Sequence, residues 1–174
     1  INSGPEASRL LREFVARTGI PVTSTLMGLG AYPASGENWL GMLGMHGTYE
    51  ANLAMHDCDV MICLGARFDD RITGRLDAFS PNSRKVHVDI DPSSINKNVR
   101  VDLPIIGDVG HVLKAMLEAW NELGLTMDTG ALAEWKGQIA RWKARNCLAY
   151  RQDGDIIMPQ HAVKRLYELT RDRK

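Results

Sequence analysis

The chain has 174 residues, 44% of them hydrophobic, and its 21 acidic side chains balance 21 basic ones. That is apolar material for one core with an appended piece, and it excludes a disordered chain. Zero net charge, without a basic stripe interleaved with aromatics, argues against nucleic acid as a partner. No apolar run is long enough to cross a bilayer, and the opening Ile-Asn-Ser-Gly-Pro-Glu has neither part of a secretory leader. Cys58, Cys63 and Cys147 form no C-x-x-C pair, so neither a disulfide framework nor a metal site is expected, and a reducing cytoplasm fits.

Pro5 to Thr18 has helical spacing, with Leu10, Leu11, Phe14 and Val15 on one face, Ser3 as a cap and Gly19 as the stop. Ile20 to Thr25 reads as a short strand. Leu26 to Gly36, with three glycines and a proline, is too broken for regular structure. A glycine-rich loop after a strand can cradle phosphates, but Met27-Gly28-Leu29-Gly30 is not a G-x-G-x-x-G fingerprint and is weak on its own.

The most informative stretch runs from Gly44 to Arg71. A glycine turn from Gly44 to Gly47 leads into helical spacing at Tyr49, Leu53 and Ala54, then the apolar run Val60 to Leu64. That run lacks polar alternation, so it suits a parallel strand covered on both faces, with Cys63 as a small core hydrophobe. Open parallel sheets bind ligands beyond the carboxyl ends of their strands, where Gly65-Ala66-Arg67 sets a small backbone beside a guanidinium suited to phosphate or carboxylate. The amides after Gly47 and the helix dipole would point toward the same anion. Plainer readings stand beside these: a turn and nothing more, His46 as a cap or packed side chain, and Arg67, Asp69, Asp70 and Arg71 as a solvated ion-pair network.

Lys85 to Pro92 reads as a strand that ends in acidic residues. A carboxylate there can accept hydrogen bonds from ribose hydroxyls, although an aspartate before proline also simply forms a turn. Leu103 to Gly107 is the last predicted strand. From Val109 a helix runs to about Leu123, burying Val112, Leu113, Met116, Leu117 and Trp120. This alternation predicts a doubly wound α/β fold, a mainly parallel sheet with helices on both faces. Leu132 to Leu148 reads as a surface or connecting helix, because Glu134 and short polar residues spoil a basic membrane-binding face. Met158-Pro159 opens a final helix, with Pro159 in its first turn.

Five motifs in order now carry a resemblance: T-L-M-G-L-G (Thr25 to Gly30), L-G-M-L-G-M-H-G (Leu40 to Gly47), G-A-R-F-D-D-R (Gly65 to Arg71), H-V-D-I-D-P (His87 to Pro92) and I-I-G-D-V (Ile105 to Val109). Together they resemble the central domain of the acetohydroxyacid synthase, or acetolactate synthase, large catalytic subunit family; the alternatives are the equivalent domain of another thiamine-dependent enzyme, of the glyoxylate carboligase or pyruvate oxidase type, against which G-A-R-F-D-D-R speaks, and a non-catalytic nucleotide-binding module. The resemblance implies a Rossmann-like, DHS-like NAD/FAD-binding fold. It implies a central FAD-binding domain over 1–126 that lacks its first strand, a helical linker over 127–158, and the start of the thiamine-diphosphate-binding domain over 159–174.

By the same resemblance, Thr25, Leu26 and Met27 line the flavin side of an extended FAD, and His46, Gly47, Gly65, Ala66 and Arg67 hold its middle. Asp89, Ile90, Asp108 and Val109 contact its adenosine end. Arg71 corresponds to the arginine that recognises the carboxylate of a second 2-keto acid, a role suited to its planar fork, and Met45 to a residue of the substrate channel. FAD is largely structural in this family, whose enzymes use thiamine diphosphate and magnesium to decarboxylate pyruvate and join the fragment to a second keto acid, toward branched-chain amino acids. Relatives form homo-oligomers with a regulatory small subunit. The G-D-G and paired-asparagine signature for magnesium and diphosphate does not occur here, and Gly107-Asp108-Val109 does not replace it. The glutamate that activates the thiamine ring belongs to another domain, so this chain alone is expected to be inactive.

Overall fold

The computed structural model describes residues 4–172, so the proposed Ser3 cap lies outside the described residues. The first helix, α1 (Pro5–Thr18), carries its proline in the first turn, where an amide would lack an intrahelical partner anyway. It ends at Gly19, whose left-handed φ of 68° lets its N–H donate to the Val15 carbonyl at 2.7 Å. Strand β1 (Val22–Ser24) follows, and Leu26–Gly28 forms a 3₁₀ turn inside the segment expected to be irregular.

A second strand, β2 (Trp39–Met42), was not expected from the sequence. It is only four residues long and contains Gly41 at φ 101°, so neither length nor alternation announces it. Helix α2 (Tyr49–Asp57) and strand β3 (Val60–Leu64) come next, then the single turn α3 (Asp70–Thr73). Strands β4 (Arg84–Asp89) and β5 (Leu103–Ile106) precede α4 (Val109–Glu122). Two more helices close the described chain, α5 (Thr129–Lys143) and α6 (Pro159–Thr170).

All the strand pairings are parallel: β1 with β2, and β3 with β4 with β5. Side chains alternate across the strands and sort onto two faces. On one face Ile62, Leu64, Val86, Val88 and Ile105 pack with Leu10, Phe14 and Val15 of α1 and Val109, Leu113 and Leu117 of α4. On the other, Met61 and Cys63 meet Phe68, Phe79 and Val99, while Leu40 packs with Ala51 and Ala54 of α2 and Ile139 of α5. This is the doubly wound α/β arrangement that the alternation of elements predicts.

The burial of β3 departs from expectation. Its faces are covered, yet Val60 is 50% exposed and only Cys63 is buried, because one edge of the strand has no neighbour among the described residues. Helix α5 starts three residues earlier than Leu132 and ends five before Leu148, and its Trp135 and Trp142 pack against α2 and β2. Helix α6 buries none of its described side chains, leaving Val163, Leu166, Tyr167 and Leu169 exposed.

Leu113 is fully buried where α1 and α4 meet the sheet. Leu113→Ala is expected to lower unfolding stability by about 2–5 kcal/mol. Urea denaturation measures this, and a loss well below that range would mean that the helix layer relaxes around the void.

Candidate functional site

The loop after β3 is built from two left-handed residues. Gly65, at φ 67°, closes the ladder by donating its N–H to the Val88 carbonyl at 2.7 Å. Phe68 takes φ 54°, a conformation that costs a side-chain-bearing residue about 1–2 kcal/mol. Its ring offsets that cost: it is buried and meets Phe79 and His87 edge-on, at 5.7 and 5.0 Å between centroids. Asn98 donates from Nδ2 to the Phe68 carbonyl at 3.0 Å. Between these anchors Arg67 projects outward, exposed, with Nη2 2.6 Å from Asp69 Oδ2. An exposed pair of this kind is worth about 0–1 kcal/mol, so an incoming anion can recruit the guanidinium at little cost.

A second loop is locked to the first. Asn52 on α2 clamps Gly44 through both amide atoms, Oδ1 accepting from its N–H at 2.7 Å and Nδ2 donating to its carbonyl at 3.0 Å. A Cβ at Gly44, which has φ 90°, would lie 2.4 Å from the Arg71 carbonyl, so only glycine allows this approach. Met45 N–H donates to that carbonyl at 2.8 Å, and Arg71 Nη1 lies 3.6 Å from Met45 Sδ. Met45 and Arg71 therefore stand side by side on a pocket of about 310 Å³ that also includes His56, Asp70 and Phe79.

The start of α2 is less open to an anion than the sequence suggests. Thr48 Oγ1 accepts from Ala51 N–H at 3.2 Å, and Cys147 Sγ accepts from Tyr49 N–H at 3.4 Å. His46 is exposed beside this turn.

At the end of β4, Asp89 is buried and its Oδ1 accepts from Asp91 N–H at 2.9 Å. Its carbonyl accepts from Gly107 N–H at 2.9 Å, which brings the end of β5 alongside. Asp108 then caps α4, its Oδ1 accepting from His111 N–H at 3.1 Å, with Val109 buried behind it and Ile90 70% exposed. His87 is fully buried, its Nε2 3.8 Å from Asp89 Oδ2, and neither ring nitrogen has a hydrogen-bond partner among the described residues. Burial holds its pKa below the usual imidazole value, against the opposing pull of the Ala66 backbone and the Asp89 carboxylate. On the neighbouring strand, burial pushes the Cys63 thiol up to about 12, and Sγ donates to the Ala66 carbonyl at 3.1 Å, so Cys63 is an inert core thiol.

These elements border one cleft of about 1570 Å³. Of the residues singled out in the sequence, it gathers Thr25, Leu26, Met27, Gly65, Ala66, Arg67, Arg71 and Asp89. Thr25 Oγ1 accepts from Gly28 N–H at 3.2 Å, and the 3₁₀ turn it caps holds Leu26 and Met27 outward, 67% and 76% exposed. Met45, His46, Gly47, Ile90, Asp108 and Val109 are not part of its lining. Sequence reasoning missed Asn52, Phe68 and Asn98, which hold the loops in place. Asn52 left a trace, an amide among the apolar positions of α2, whereas nothing local distinguishes Phe68 or Asn98.

A parallel, doubly wound α/β domain with an amphipathic cleft at its strand ends defines a Rossmann-like ligand-binding module. Residues 2–116 match the family described as thiamine pyrophosphate enzyme, central domain, and the chain belongs to that family. It is 48% identical over 166 residues to the acetolactate synthase large subunit of Haemophilus influenzae, covering 95% of this chain and 29% of that protein. With the acetolactate synthase isozyme 3 large subunit of Escherichia coli it shares 46% identity over 161 residues, covering 92% of this chain and 28% of that protein. With the chloroplastic acetolactate synthase 1 of Nicotiana tabacum it shares 44% over 168 residues, covering 95% and 25%. The chain thus spans under a third of the length of these relatives.

Because His87 is buried uncharged, its contribution to stability is full above its unfolded pKa of about 6.5 and is lost as pH falls toward its lower folded value. Unfolding free energy is expected to drop between pH 7.5 and 5 with a slope of up to about 1.4 kcal/mol per pH unit from this group. His87→Leu is expected to flatten that part of the profile in urea titrations; an unchanged slope would assign the acid sensitivity elsewhere.

Proposed function

We propose that this chain is the FAD-binding central domain of an acetolactate synthase large subunit. The observation that carries the reading is the single cleft that brings Thr25, Leu26, Met27, Gly65, Ala66, Arg67 and Asp89 together. Its chemistry fits an extended dinucleotide. Exposed apolar side chains at Leu26 and Met27 suit a flavin ring, the exposed guanidinium of Arg67 beside the Gly65 backbone suits a diphosphate, and the buried carboxylate of Asp89 suits hydroxyl donors. His46 and Gly47 would support the middle of the cofactor, and Ile90, Asp108 and Val109 its adenosine end.

In the parent enzyme, thiamine diphosphate and magnesium supply the chemistry that decarboxylates pyruvate and joins the fragment to a second 2-keto acid. This domain contributes binding and orientation. Arg71 would present its fork to the carboxylate of the second keto acid, and Met45, packed on that guanidinium, would shape the channel beside it. We assign 1–126 to the cofactor domain, 127–158 to the linker and 159–174 to the start of the thiamine-diphosphate domain. The large-subunit relatives support a regulatory small subunit as a partner in a homo-oligomeric parent. Three free cysteines fit a reducing compartment such as the cytoplasm. Among the described residues no helix is long and apolar enough to cross a membrane.

A titration of the purified chain with FAD, with NAD as competitor, tests the cofactor assignment. Saturable FAD binding that NAD does not displace is expected; NAD displacing it would favour a general nucleotide-binding module. Arg67→Ala is expected to weaken FAD binding about ten- to a hundredfold, the worth of a charge-assisted contact to phosphate. In the full-length parent, Arg71→Ala is expected to reduce kcat/KM for the second keto acid more than it reduces FAD retention. Equal losses of both would point to collapse of the loop.

A further inference from the structure

Helix α3 is a single turn of four residues, and it carries Arg71. A turn that short gains little from its own hydrogen bonds, so whatever bonds its first amides decides how firmly it is held. Asp69 occupies its N-cap position with the extended backbone of a cap. Aspartate is among the best residues there, because its side chain accepts from the second or third amide of the helix, here Arg71 or Ile72. The Asp69 carboxylate makes no such bond. Its carbonyl serves the turn, accepting from Ile72 and Thr73 N–H at 2.9 and 3.0 Å, while Oδ2 is drawn to Arg67 Nη2 at 2.6 Å.

Phe68 stands between the two charged residues. Its buried ring, and the Asn98 amide on its carbonyl, hold the backbone in place, so the carboxylate changes partner by turning about its own side-chain bonds. The side chains of Arg67 and Asp69 are 68% and 45% exposed, and a pair so open to water holds the carboxylate only weakly. We propose that Asp69 is a positioning residue with two alternative partners: it pairs with Arg67 until an anion takes the guanidinium, and it then caps α3. This rests on the reading of Arg67 as the diphosphate contact. Occupancy at Arg67 thereby firms the turn that presents Arg71 to a keto acid carboxylate, and by linkage each ligand favours the other by the same factor. The worth of one N-cap sets that factor at about fivefold. The same turn offers its Arg71 carbonyl to Met45 N–H at 2.8 Å, so the channel methionine is firmed with it.

Amide hydrogen exchange at Arg71, followed by NMR on the chain as it stands, tests the exchange of partners with and without FAD. Arg67→Met removes the competing cation and is expected to slow Arg71 exchange about fivefold with no ligand present. Asp69→Asn keeps an N-cap acceptor but loses the ion pair, so it is expected to slow exchange by the same factor. Asp69→Ala, alone or combined with Arg67→Met, is expected to leave Arg71 exchanging as in the unaltered chain. FAD is expected to slow Arg71 exchange in the unaltered chain and to have no effect on it in Asp69→Ala. The proposal is overturned if Arg67→Met and Asp69→Asn leave exchange unchanged, or if Asp69→Ala protects Arg71 as well as Asp69→Asn does, since a cap would then play no part. Slowing by Arg67→Met but not by FAD would support the two-partner role of Asp69 and count instead against the diphosphate reading of Arg67.

Discussion

Parallel pairing is the constraint on which the rest of this structure depends. Strands paired in parallel cannot be joined by tight hairpins, so each link must cross a face of its sheet, and both faces become buried. The shared direction collects the carboxyl ends of β3, β4 and β5 on one side, and the end of β1 borders the same cleft as those of β3 and β4. The loops after those ends, with Thr25, Gly65 and Asp89, therefore meet although they are distant in sequence. The cleft is a consequence of topology before it is a property of any one motif.

Local anchoring then converts a shared edge into a defined site. Phe68 sits in a conformation that its backbone disfavours, and its buried ring against Phe79 and His87 holds it there. That arrangement fixes the direction of Arg67 without using its side chain, which stays exposed and pairs with Asp69. The cost falls partly on His87, buried with both ring nitrogens lacking described partners. Asn52 performs the equivalent task for the glycine turn, tying Gly44 to α2 while Met45 bonds the Arg71 carbonyl. Both loops are thus tied by hydrogen bonds close to the sheet, while Arg67 and Met45 stay exposed.

Membership of the thiamine pyrophosphate enzyme central-domain family accords with this division of labour. A cleft edged by apolar side chains, one exposed guanidinium and one buried carboxylate is equipped to hold and orient a ligand.

The sequence by itself determined the elements whose periodicity is strong: α1 with its glycine stop, the apolar run of β3, the acidic end of β4 and the amphipathic α4. Their alternation determined the fold class, and the motifs determined the family resemblance, including eight of the residues that line the cleft. Tertiary structure alone decided what depends on contacts between distant segments. Strand β2 is short and glycine-containing, and it forms because β1 offers it an edge. Val60 is apolar, yet it is half exposed because one edge of its strand has no neighbour among the described residues. Phe68 and Asn98, 30 positions apart in the sequence, anchor the Arg67 loop. Periodicity records which face of an element is buried, whereas edges, loop directions and clamps arise only when separate elements meet.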